Sequence, residues 1–192
     1  MIAMKTNQFK KVTFLILTIL LTSCATQRTS TIEGVNYNES KNVTDYFVMP
    51  YGSVSLFGKW EKKNYNEISR QQFFKNQDSV IIAIAFERYD KYEFNTNGSQ
   101  SGFNFVKAYY EWDSNYFVDS HGLKRQIIES DSTNHFMIYR IYGQKEKAEF
   151  NTYFLIGEKN GNVSNFSISK TEKWSEIEKI LFLKNLFLTE KK

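Results

Sequence analysis

The sequence predicts an α+β domain: a single, mostly antiparallel sheet with a central helix and a C-terminal helix packed on it. Three observations carry that expectation. Apolar runs of strand length are separated by turn residues, as at Asn160-Gly161, so successive strands return as hairpins. Residues 102–117 repeat large aromatic side chains at helical spacing. Ser175 and Glu178 form a Ser-x-x-Glu capping box just before the last apolar run. Hairpins with two separate helices, rather than alternating strand and helix, define the α+β class.

The elements follow in order. Asp45 to Met49 is a short extended entry stopped by Pro50. Val54 to Trp60 is read as a strand, and Ser69 to Lys75 as an edge strand. A turn at Asn76-Gln77-Asp78 leads into Ser79 to Arg88, where Val80, Ile82, Ile84 and Phe86 line one face. Ile81, Ala83 and Ala85 line the other, so both faces are expected to be covered, with the alanines admitting a helix. Residues 90–102 read as loop. The aromatic helix then runs from Gly102 to Phe117 and is closed by His121-Gly122. Leu123 to Ser130 and His135 to Tyr142 form one hairpin; Phe150 to Ile156 and Val163 to Ser169 form another. The chain closes on a helix from Glu176 to about Leu188, with Ile177, Ile180, Leu181, Lys184 and Leu188 as its expected stripe.

The first residues carry an address. Lys5, Lys10 and Lys11 precede an apolar run from Val12 to Leu21, the pattern of an export signal. That run is shorter than the roughly 20 residues of a bilayer-spanning helix. Leu21-Thr22-Ser23-Cys24 resembles the bacterial lipobox. The resemblance implies cleavage after residue 23 and a lipid-modified (palmitate-bearing) Cys24 as the mature first residue. Cys24 is the single cysteine among 192 residues, which fits a lipid anchor better than a disulfide. The expected organisation is therefore a signal peptide over residues 1–23, a lipidated Cys24 with a polar tether to residue 42, and one domain over residues 43–192. Ala25 follows the cysteine where an Asp would signal retention. By resemblance to the enterobacterial sorting rule, this implies an outer-membrane, periplasm-facing position.

The leader also explains the charge. The chain has 25 basic and 21 acidic residues, for a formal charge of +4. Loss of the three leader lysines would leave 22 against 21, or +1. So small an excess gives no reason to expect a nucleic-acid partner.

Tyr46-Phe47-Val48-Met49-Pro50, then Trp60, then the strand–helix order ending in an aliphatic helix, resemble the PsbP-like superfold. That group includes photosystem extrinsic proteins and the DcrB lipoproteins. The resemblance covers about residues 43–188 and implies a scaffold for binding and assembly.

Few residues suggest chemistry. Asp119-Ser120-His121 contains a triad's residue types, but consecutive side chains do not converge. His121 and His135 share no helix face, so no metal ligand set is expected, and no cofactor. The acidic pairs Glu111/Asp113 and Glu129/Asp131 are read as solvated charges on a helix flank and beside a turn. Tyr109, Tyr110, Trp112 and Tyr116 are the candidate ligand-binding residues, because one helix carries more large rings than a single buried face can hold. No catalytic residue is assigned. The expected function is a membrane-anchored, non-catalytic binding or assembly module of the cell envelope, with an envelope protein or glycan as partner. The alternatives are an envelope hydrolase with an unrecognised carboxylate site, or a structural lipoprotein with no dedicated ligand.

Overall fold

The computed structural model describes residues 31–145 and 148–190; the expected leader, Cys24 and the first part of the tether lie outside the described residues. Strands β1 (Ile32–Asn38), β2 (Val43–Met49) and β3 (Gly52–Phe57) form a small antiparallel sheet. A second sheet of seven strands contains β4 (Trp60–Asn66), β5 (Gln71–Asn76), β6 (Ile81–Arg88), β7 (Lys124–Asp131), β8 (Phe136–Lys145), β9 (Ala148–Lys159) and β10 (Asn162–Ile168). Its spatial order is β4-β5-β6-β10-β9-β8-β7, with every neighbour antiparallel. Helices α1 (Gly102–His121) and α2 (Glu176–Leu188) complete the α+β architecture.

The class is as the sequence predicts, but there are two sheets rather than one. The strand expected over residues 54–60 is divided at Gly58, whose φ of +88° turns the chain out of the small sheet and into the large one. Buried Thr44 fastens that corner: its hydroxyl donates to the Gly58 carbonyl at 2.8 Å and accepts from the Trp60 amide at 2.9 Å. Two strands go beyond the sequence expectation. Residues 32–38, assigned to the tether, pair with β2 as β1, and residues 60–66 form the outer strand β4. β5, expected at an edge, therefore lies between β4 and β6.

Side-chain alternation divides the large sheet into two cores. On one face, Phe74, Ile82, Ile84, Phe86, Ile138, Leu155 and Phe166 meet Tyr46, Val54 and Leu56 of the small sheet and Leu183, Leu186 and Phe187 of α2. Gly157 lets α2 approach: a Cβ there would stand 2.2 Å from the Phe187 ring. On the other face, Met137, Tyr139, Ile141, Phe154 and Ile156 meet Phe105, Val106, Tyr109 and Tyr110 of α1.

Local signals hold well at the turns and caps. The β9–β10 hairpin turns at Asn160 (φ 52°) and Gly161 (φ 83°), the left-handed pair of a two-residue loop. The Ser175/Glu178 capping box is present in both directions. Gly122 closes α1 in the left-handed conformation, so α1 continues four residues beyond Phe117. The α2 stripe is corrected. Its buried residues are Lys179, Leu183, Leu186 and Phe187, whereas Ile177, Leu181 and Leu188 face solvent. α2 is apolar on more than one side, and the sheet takes the side that inserts Phe187 against Gly157. Among the described residues no helix is long and apolar enough to cross a membrane.

Candidate functional site

α1 packs over β7, β8 and β9. Beyond β9, Asn165 of β10 is paired to Ala85 of β6 on the same face of the sheet. Two short 3-10 turns, Tyr89–Lys91 and Glu93–Asn95, close over this region from the side. Asn95 holds their loop: its amide group donates to the Tyr89 and Gln100 carbonyls and its Oδ1 accepts from the Gln100 amide. A cavity of about 300 Å³ remains between helix, loop and sheet. Ala85, one of the two alanines expected to admit a helix, lies in the wall of this cavity instead.

The helix presents Phe105, Tyr109, Asp113 and Phe117 at four-residue intervals, one stripe aimed at the sheet. Three of them are aromatic. The fourth is a carboxylate. Tyr109, Trp112, Asp113 and Phe117 all line the cavity, opposite Phe154 and Asn165. Tyr92 completes the aromatic wall. The ring planes of Tyr92, Tyr109 and Trp112 stand edge-on to one another at 81°, 76° and 66°, with centroids 5.2, 6.1 and 5.5 Å apart. The Trp112 indole N–H donates to Glu93 at 2.6 Å, which fixes the indole's orientation. The Asn165 amide donates to the Tyr109 hydroxyl at 2.6 Å.

Asp113 is the electrostatic anomaly. Burial pushes its carboxyl from 3.8 up to about 6, against the opposing pull of the Tyr139 hydroxyl, which donates to Oδ2 at 2.6 Å. Among the described residues, no cation is one of the groups that set its charge state. The negative charge in turn raises the Tyr109 and Tyr139 hydroxyls beyond what their own burial does. Arg70 and Glu87 also line the cavity but form an ion pair with each other at 3.1 Å.

The four candidate residues separate. Tyr109 (3% exposed) and Trp112 (38%) are brought together at the cavity. Tyr110 (6%) points elsewhere, packed edge-on against Tyr139 beneath the Arg125 guanidinium. Tyr116 (59%) lies on the outer surface against His121 and Phe117. The acidic pairs separate as well. Glu111 binds Arg125, Glu129 binds Lys184, and Asp131 accepts the amides of its own turn. Asp113, expected to be a solvated flank charge, faces the cavity. The signal that identifies it is its i+4 spacing from both Tyr109 and Phe117.

Another groove, of about 490 Å³, is lined by Phe57, Trp60, Trp174 and Phe182 near the small sheet. Its aromatic surface is accompanied by the Asp78 carboxylate and by Lys59. Among the described residues, no three His, Cys, Asp or Glu side chains gather closely enough to hold a metal ion.

No protein-family model matches this chain, and no curated protein sequence does. Among solved structures, the chain is similar to the solution structure of cyanobacterial PsbP (CyanoP) from Synechocystis sp. PCC 6803. The TM-score is 0.40 and the identity 11%, covering 90% of this chain and 98% of that one.

Proposed function

We propose that the protein is a membrane-anchored, non-catalytic binding module of the cell envelope, taking a small ligand in the cavity beside α1. One observation carries the ligand site: aromatic rings and a carboxylate with no ion-pair partner among the described residues converge on one cavity. The anchor rests on Leu21-Thr22-Ser23-Cys24, and the proposed position is the periplasmic face of the outer membrane. Radiolabelled palmitate supplied to expressing cells should enter the wild type and not Cys24→Ser, whose product should leave the membrane fraction. Equal labelling would refute the anchor. Ligand screening can be followed by tryptophan emission, with Trp112→Phe separating the cavity from Trp60 and Trp174. Neutral, cationic and sugar probes that leave the Trp112-dependent emission unchanged would count against the site.

A hydrolase is the second reading. Asp113, Glu87 and Glu93 share the cavity, and a carboxyl near 6 suits proton transfer. Glu87 is engaged by Arg70 and Glu93 by Trp112, so neither is poised as the second catalytic carboxylate. Turnover of chromogenic esters or glycosides that disappears in Asp113→Asn would favour this reading over simple binding.

A further inference from the structure

We propose that the cavity beside α1 takes a small organic cation, an amine or quaternary ammonium group, held between the rings of Tyr92, Tyr109 and Trp112 and the carboxylate of Asp113. The inference rests on the binding-module reading and names the ligand class for the same cavity.

Size, shape and charge agree. A space of about 300 Å³ suits a single head group rather than a polymer. Three ring planes inclined at 66–81° to one another form a corner rather than a flat stacking platform. Such a corner surrounds a compact, roughly spherical group, and a cation within about 6 Å of an aromatic face is attracted to it. Asp113 supplies the formal charge. Among the described residues its hydrogen-bonded partner is a neutral phenol and no ion pair reaches it, so ionisation at this site lacks a paired cation there. An ammonium ligand would provide one.

Other ligand classes fit less well. An anion would meet Asp113, Glu87 and Glu93 together, with Arg70 already committed to Glu87 and Lys91 the other basic residue in the lining. A neutral sugar needs hydrogen-bonding side chains to spare. Yet the Asn165 amide is donated to Tyr109, and Asn165 Oδ1 faces the Gln71 amide across 3.5 Å. Of the rest of the lining, Ser69 alone adds a neutral polar side chain at the rim, beside Ile68, Ala85 and the aromatic rings.

The test uses the full chain in mild detergent, with choline and the neutral alcohol in which carbon replaces the ammonium nitrogen. These probes share shape and differ in charge. Choline should change the Trp112-dependent emission and bind at least about tenfold more tightly than the alcohol. Asp113→Asn, which keeps an acceptor for Tyr139, should remove that preference while leaving the alcohol's affinity within about twofold. Circular dichroism would confirm that the variant is folded. Equal affinity for the two probes, or an unchanged preference in Asp113→Asn, overturns the cation assignment. If the alcohol or a monosaccharide binds while choline does not, the cation assignment fails and the ligand cavity stands. If no probe binds, both fail.

Discussion

Asp113→Asn should make the protein more stable above pH 6. The native carboxyl titrates near 6, against 3.8 for the unperturbed group. At about 1.4 kcal/mol per tenfold change in proton affinity, that difference is about 3 kcal/mol, and water in the cavity reduces it to roughly 1–3 kcal/mol. The sign follows from proton binding. Between about pH 4 and 6 the unfolded carboxyl has lost its proton while the native one retains it, so native stability falls as pH rises through that window. The amide has no such titration and still accepts from Tyr139. The stability difference between variant and wild type should therefore be small at pH 4 and grow to roughly 1–3 kcal/mol in the variant's favour by pH 7–8. Arg70, Glu87, Lys91, Glu93 and the surrounding tyrosines are common to both proteins, so the difference isolates Asp113. Urea unfolding followed by tryptophan emission at successive pH values measures it. A pH-independent difference, or a wild type that remains the more stable at pH 8, would refute the reasoning. A stabilising loss of charge is what a residue retained for ligand binding rather than for folding would give.

Other substitutions probe the frame around the site. Gly157→Ala should cost about 1–3 kcal/mol, since the new methyl must displace the buried Phe187 ring; thermal melting would show it, and an unchanged midpoint would mean that α2 can shift freely. Leu183→Ala should cost about 2–5 kcal/mol and Leu181→Ala about 0.5 kcal/mol or less, with chemical denaturation reading both; the reverse order would restore the stripe expected from sequence. Ser175→Ala removes the α2 cap and should cost about 1 kcal/mol by the same measurement.

What the sequence disclosed depended on how local each cause was. The Asn160-Gly161 turn, the Ser175/Glu178 box and the Gly122 stop are decided within a few residues, and each was readable. The division into two sheets was not. It depends on Gly58 and on Thr44, which lies 14 residues earlier in the chain yet hydrogen-bonds that corner. β1 was hidden because its residues, Ile-Glu-Gly-Val-Asn-Tyr-Asn, are mostly polar and exposed; pairing with β2 holds them, not burial. In α2, apolar residues on several sides left the buried face to be chosen by the sheet.

The candidate site was legible in part for the same reason. An excess of rings on α1 is a property of composition, and it drew attention to Tyr109 and Trp112. Which rings meet a cavity depends on where the helix lies over the sheet, and that placement buried Tyr110 under Arg125 and left Tyr116 outside. Proximity in sequence pairs Asp113 with Glu111, but residues two apart on a helix point in different directions. Its true neighbours are four residues away on either side. Tyr92 comes from a loop with no periodic signal at all, brought to α1 by the Asn95 hydrogen bonds.

The most direct test of the account is a crystal structure of the protein grown with choline. The account predicts ligand density within the cavity, its ammonium against the rings of Tyr92, Tyr109 and Trp112 and facing the Asp113 carboxylate. Density in the groove beside Trp60 and Trp174, or water alone beside Asp113 at saturating choline, would contradict it.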